Sequence, residues 1–354
     1  MNKKLIPAVA LGLVSMLTAC GSTTAKTADV FIYQFSDTYI GTVRTALETD
    51  LKASGITPTF YDGGGVSATQ VQQIESAIAK KSKLLIPNLV EQTATGDSIA
   101  AKAKAAGIPA IFFNREVPDS AVTSSTYPDN CFVGTDPDQA GYMQGDIIAS
   151  GLIGSDGKLS STWDQNGDGK ITYVMLRADE SNAEANGRTK YSVQEANTKL
   201  TAKSLNELVH LGADYNAGWS KDTAKTAMDG FITTYGLPGS GKDTLGGGIE
   251  LVIANNDDMA LGAIQSLQTA NFNKEGSAKK VMVVGVDATA AGKAAIDAGN
   301  MFGTVKQDAD AMAKCIAALA SNKLAGKDYL TGTTYKWDSE TVHKVRIPYG
   351  SYTK

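Results

Sequence analysis

Between Asp164 and Thr172 the chain reads Asp-Gln-Asn-Gly-Asp-Gly-Lys-Ile-Thr, with oxygen-bearing side chains alternating around two glycines. That spacing suits a hard divalent cation. A calcium loop of the EF-hand type takes side-chain oxygens at its positions 1, 3 and 5, a turn glycine at 6, a backbone carbonyl at 7, an oxygen at 9 and a bidentate glutamate at 12. Asp164, Asn166 and Asp168 supply the first three, Gly169 the turn, Lys170 the carbonyl and Thr172 the ninth. Met175 stands where the closing glutamate belongs, and a thioether is too soft a ligand for calcium. Either the spacing is a coincidence, or a distant carboxylate completes the shell and the ion is structural.

A second polar set follows short apolar runs. Asp37, Asn114, Asn255-Asn256-Asp257, Asp287 and Gln307 each come just after a stretch that reads as a strand. Any one of them could be a helix cap, and Asp257 or Asp308 is read that way. Five such positions point instead to a shared site, because planar carboxylates and amides can bridge adjacent hydroxyl groups. Covalent catalysis finds no support: there is no Gly-x-Ser-x-Gly elbow and no adjacent Cys/His pair. Gly236-Leu237-Pro238-Gly239-Ser240-Gly241-Lys242 matches most of a phosphate-binding loop, but Asp243 replaces the magnesium-holding Ser/Thr and the string follows a helix.

These positions require a scaffold that gathers strand ends. Apolar runs at Val30 to Gln34, Thr57 to Tyr61, Lys83 to Pro87 and Ala110 to Phe113 alternate with amphipathic helices at Tyr39 to Ala53, Val71 to Ala79 and Ser98 to Ala106. The rhythm restarts at Phe132 to Gly134 and continues through Thr172 to Leu176, Leu208-Val209, Glu250 to Ala254, Lys280 to Val286 and Gly303 to Val305, each leading into a helix. Strands joined by helices need right-handed crossovers and a parallel sheet. The expected class is α/β, two doubly wound lobes in tandem, with ligands outside the carboxyl ends of the strands.

The 354 residues carry a formal charge of -4, a pI near 5.4 and 7% aromatics, which offers no basic surface for nucleic acid. Two histidines cannot build a histidine cluster, and Cys131 and Cys315 lack metal or redox spacing; they are expected as buried thiols rather than a disulfide. Lys3 and Lys4 precede an apolar stretch from Leu5 to Met16, and Leu17-Thr18-Ala19-Cys20 ends it. This reads as a lipoprotein signal peptide over residues 1–19, with Cys20 the acylated first residue of the mature chain and a tether to residue 28.

Tyr33-Gln34-Phe35-Ser36-Asp37, Phe112-Phe113-Asn114-Arg115-Glu116, Val133-Gly134-Thr135-Asp136, Gln144-Gly145-Asp146, the Asp164 to Gly169 loop, Val252 to Asp257, Gly285-Val286-Asp287 and Gly303-Thr304-Val305 resemble, in order, the bacterial galactose/glucose-binding proteins, the calcium-loop type of periplasmic sugar receptor. The resemblance covers nearly all of the mature chain, with an insertion around Leu237 to Gly248. It implies the type I periplasmic binding protein fold, and it implies that Glu250 supplies the carboxylate that Met175 cannot. It also implies a pyranose held by Asp37, Asn114, Arg188, Asn256 and Asp287 and stacked between Tyr39 and Trp219. Four positions depart from the family: Asn182 stands for a histidine, Glu184 for an aspartate, Gln307 for an asparagine and Tyr39 for a phenylalanine. Altered hydrogen-bonding groups reject the wrong analogue strongly, so the epimer preference is not inherited.

The expectation is a lipid-anchored, monomeric, non-enzymatic receptor on the outer face of the cell membrane. It would deliver a monosaccharide, D-glucose or D-galactose first, to the permease of an ABC importer, and in some members of the family to a chemoreceptor as well. A pentose or furanose signal is the alternative ligand, and a carbohydrate-active enzyme using Asp37, Glu184 and Asp287 the alternative class. The N-terminal lobe is expected at 29–133 plus 308–342 and the C-terminal lobe at 134–307 plus 343–354. Three hinge crossings are expected near Val133, Gln307 and Val342.

Overall fold

A computed structural model describes residues 25–239, 247–339 and 342–354. The signal peptide, Cys20, the start of the tether and the middle of the glycine-rich stretch from Ser240 to Gly246 lie outside the described residues.

The first lobe is a six-stranded parallel sheet of β1 (Lys26–Ile32), β2 (Ile56–Asp62), β3 (Leu85–Pro87), β4 (Ala110–Phe113), β5 (Asn130–Gly134) and β12 (Lys344–Arg346), in the order β2-β1-β3-β4-β5-β12. The second is a seven-stranded sheet of β6 (Thr172–Arg177), β7 (Val209–His210), β8 (Tyr215–Asn216), β9 (Leu251–Ala254), β10 (Met282–Asp287), β11 (Gly303–Lys306) and β13 (Gly350–Thr353). Its main order is β7-β6-β9-β10-β11-β13, with β8 beside β6 and β13 antiparallel to β11. Both lobes thus repeat the doubly wound order 2-1-3-4-5, whose switch point lies beside the first strand.

Both faces of each sheet are covered, which explains the unbroken apolar runs at Ala110–Phe113 and Leu251–Ala254. In the first lobe α1 (Thr38–Ala53) and α9 (Ala309–Leu324) cover one face, α2 (Ser67–Ala79) and α3 (Gln92–Ala106) the other. In the second, α6 (Lys221–Tyr235), α7 (Asp257–Thr269) and α8 (Ala290–Asp297) cover one face, α4 (Pro137–Leu152) and α5 (Ala183–Thr201) the other. Cys131, on β5, and Cys315, on the inner face of α9, are free thiols buried in the same core. Among the described residues no helix is long and apolar enough to cross a membrane.

Two expected boundaries move. The first strand begins at Lys26, pairing with Ile56, and Ala28 is fully buried, so residues 26–28 are strand rather than tether. The third crossing lies at 347–349 rather than near Val342, because β12 completes the first lobe and only β13 belongs to the second. The strand was hidden by its charge. Lys344 is buried, with its ammonium 2.5 Å from both Glu116 and Asp119, and Arg346 makes a two-pronged pair with Glu116 at 2.6 and 2.9 Å. A short charged segment can enter a sheet when its charges are paired in this way.

Candidate ligand-binding cleft

The carboxyl ends of both sheets face one cleft, and the lobes touch across its mouth. Thr38 Oγ1 donates to Asp258 at 2.6 Å, Gln92 Nε2 to the Ser181 carbonyl at 3.3 Å, and the Glu116 amide to Glu184 Oε1 at 3.2 Å. All ten residues expected to line a ligand site meet here, around about 370 Å³ of space that includes the open mouth.

Asp37, Tyr39 and Asn114 form the first lobe's wall. Asp37 caps α1, Oδ1 accepting from the Ile40 amide at 2.7 Å, while Oδ2 accepts from the Tyr33 hydroxyl at 2.5 Å. Asn114 holds a left-handed backbone (φ 61°), and its Oδ1 accepts from Asn88 at 3.3 Å. Tyr33, Ile40 and Arg115 line the cleft as well and were not anticipated. Arg115 lies 4.3 Å over the Tyr33 ring and donates to the Leu89 and Val90 carbonyls. The available signal was position: Tyr33 and Arg115 sit at the ends of β1 and β4, where ligands bind.

The opposite wall rests on α5. Asn182 caps that helix by accepting from the Ala185 amide at 2.9 Å, and Glu184 and Arg188 follow one turn apart, both buried. Their depth is set by glycines: a Cβ on Gly141 would lie 2.3 Å from the Gly187 carbonyl, and one on Gly145 2.7 Å from that of Ser192. Arg188 donates through Nη1 to the Asn255 carbonyl at 2.9 Å and through Nη2 to Gln307 at 3.0 Å, with Asp287 at 3.8 Å. Asn256, and not Asp257, caps α7; its Nδ2 donates to the Trp219 carbonyl at 3.4 Å. Asp257 instead accepts from Thr289 and Thr304. Trp219 (φ 64°) and Asp287 (φ 118°) are also left-handed, a strain that collects at binding sites.

Burial pushes the carboxyls of Asp37, Glu184 and Asp287 upward. Burial works against the Arg188 charge too, but Tyr349 and Asp287 outweigh it and raise its pKa. Three buried polar atoms of the lining have no partner: Tyr39 Oη, Glu184 Oε2 and Arg188 Nε. An unmade buried hydrogen bond costs on the order of 1–3 kcal/mol, so a polar ligand bonding these atoms would recover it.

The loop at Asp164 is a separate place. Glu250 reaches it: Oε1 accepts from the Gln165 amide at 3.3 Å and Oε2 from the Thr172 amide at 3.1 Å. Asp164 Oδ2, Asn166 and Asp168 accept from amides of Gly169, Asp168 and Lys170. The Thr172 hydroxyl donates to the Gly248 carbonyl, and Met175 is buried in the core. Among the described residues no three His, Cys, Asp or Glu side chains converge as a metal cage. The donor set still fits a hard cation, since amide and backbone oxygens supplement the carboxylates, Asp164 Oδ1 is buried without a partner, and burial beside Asp164 and Asp168 lifts Glu250 to about 7.

Known proteins share this architecture. The D-galactose/methyl-galactoside binding periplasmic protein MglB of Haemophilus influenzae is 31% identical, over 96% of this chain and 94% of that protein. The xylitol-binding protein of Mycolicibacterium smegmatis is 26% identical, over 96% of this chain and 84% of that one. A solved Mycobacterium smegmatis structure in complex with β-D-fucofuranose superposes with a TM-score of 0.71 at 20% identity, over 93% of this chain and 91% of that one. The periplasmic binding protein domain matches residues 28–328. With that match spanning both lobes, the chain belongs to the periplasmic binding protein domain family.

Proposed function

We propose that this protein captures a monosaccharide, D-galactose or D-glucose first, between its lobes and delivers it to the permease of an ABC importer. The observation that carries this reading is the ring of three partnerless buried polar atoms, on Tyr39, Glu184 and Arg188, in a cleft between polar strand ends. Amides and carboxylates there suit a hydroxyl rim, while the Tyr39 and Trp219 rings suit apolar C–H faces. The galactoside-binding relative supports the hexose. A five-carbon polyol is the second reading, favoured by the xylitol-binding relative and by the Tyr39 hydroxyl, which occupies space in the cleft.

The names of these relatives are those of binding proteins, in keeping with a carrier rather than an enzyme. Cys20 would carry the lipid that holds the exported receptor at the membrane, and the closed form would be what the permease, or a chemoreceptor, reads. Asp164, Asn166, Asp168, Glu250, the Lys170 carbonyl and Thr172 would hold a structural calcium that staples the loop to β9. Titration calorimetry of the tether-truncated protein with D-galactose, D-glucose and xylitol, in calcium, tests the reading. Saturable binding of a hexose at micromolar sugar or below is expected; heat from none of the three would refute it.

A further inference from the structure

Thr135 and Tyr349 take no part in the cleft lining, yet they sit where the chain passes between lobes. Thr135 follows β5 on the first crossing, Gln307 follows β11 on the second, and Tyr349 lies between β12 and β13 on the third. Thr135 Oγ1 donates to Tyr349 Oη at 2.8 Å, and Gln307 Nε2 donates to Thr135 Oγ1 at 3.3 Å. Arg188 closes the set from α5, donating through Nη2 to Gln307 at 3.0 Å and to Tyr349 Oη at 3.4 Å. All four side chains are buried.

The guanidinium is rigid and planar, so holding its two outer nitrogens fixes the direction of the third. Here Nη1 and Nη2 are held and Nε is the buried nitrogen without a partner. A rotation of one lobe against the other also moves the three crossings relative to one another, and a buried polar network resists such slippage. We infer that Tyr349 and Thr135 are positioning residues: with Gln307 they tie all three crossings into one polar latch that sets the lobe angle and aims Arg188 Nε at the ligand. The inference rests on the reading that a ligand enters this cleft.

The test uses Tyr349→Phe, which removes the hub hydroxyl and keeps the ring, and Thr135→Val, which keeps the volume. Each is expected to weaken sugar binding by about tenfold, the effect of losing hydrogen bonds worth about 1 kcal/mol or more. The double variant should be scarcely weaker than either single one, because both break the same unit. In the unliganded protein, spin labels on Ser76→Cys and Thr234→Cys, at exposed sites on α2 and α6, should report a shifted or broadened lobe-to-lobe distance in each variant. Unchanged distances would overturn the latch, and so would unchanged affinities or strictly additive losses. If the parent protein binds no sugar, the functional reading fails by itself, and the ligand-free distances still decide the latch. Should Tyr349→Phe not fold, Thr135→Val carries the same two readouts.

Discussion

A phenol with nothing to bond is the clearest residue-level statement of purpose in this cleft. Tyr39 Oη is buried and partnerless, so Tyr39→Phe should leave the unliganded protein as stable or stabilise it by up to about 1 kcal/mol, while weakening sugar binding by roughly tenfold. Thermal unfolding and calorimetry on the same preparation check both halves. Asp257 offers a pH signature. Burial raises its carboxyl from 3.8 to about 6, so the native state holds a proton that the unfolded chain releases between those values. Its stabilising contribution is full below about pH 4 and is lost as pH rises through 6, a change of roughly 3 kcal/mol. Asp257→Asn should flatten that part of the stability curve measured by denaturant titration between pH 4 and 7. Residue type and strand-end position were enough to assemble Asp37, Asn114, Asn256, Asp287 and Gln307 in one cleft. Tyr33 and Arg115 share that strand-end position but escaped because their aromatic and basic side chains lack the carboxylate or amide chemistry that singled out the others; their mutual stacking shows only in three dimensions.

At the scale of elements, the α4–α5 contact decides how deeply the C-terminal wall sits. A Cβ on Gly187 would lie 2.3 Å from the Pro137 carbonyl. Gly187→Ala should therefore push α5 away, cost about 1–3 kcal/mol by overpacking, and weaken sugar binding by displacing Glu184 and Arg188; unfolding and calorimetry would show both changes together. The loop at Asp164 should behave otherwise. On the proposed calcium reading, calcium should raise the melting temperature of the parent protein and Glu250→Ala should abolish that rise with little change in sugar affinity, as thermal scans with and without chelator would show. Most helices and strands were legible because their periods, 3.6 and the unbroken apolar run, differ so clearly. β12 was not, since Lys-Val-Arg reads as a surface loop until Glu116 and Asp119 are seen beside it. The caps were misassigned by one residue at α7 because Asn256 and Asp257 have equal propensity for the role, and only the hydrogen bond to Met259 separates them.

For the whole molecule, the two lobes meet through few groups at the mouth, Thr38, Gln92 and Glu116 on one side and Asp258, Ser181 and Glu184 on the other. Thr38→Ala should speed sugar release by a few-fold without altering the association rate, because a contact that holds the two lips together acts on dissociation; stopped-flow fluorescence of the cleft's Trp219 would resolve the two rates. The repeated strand order of the lobes was readable from alternation alone, whereas the third crossing was not, for it depends on where a short strand pairs.

That late pairing bears on how the protein is made. β12 completes the first sheet and β13 the second, and both come from Lys344–Thr353. A chain synthesised from its N-terminus therefore has two unfinished sheets, each with an open edge beside β5 or β11, until those last strands are added. The two sheets therefore share one completing segment, and neither lobe has its full set of strands until Lys344–Thr353 has been added.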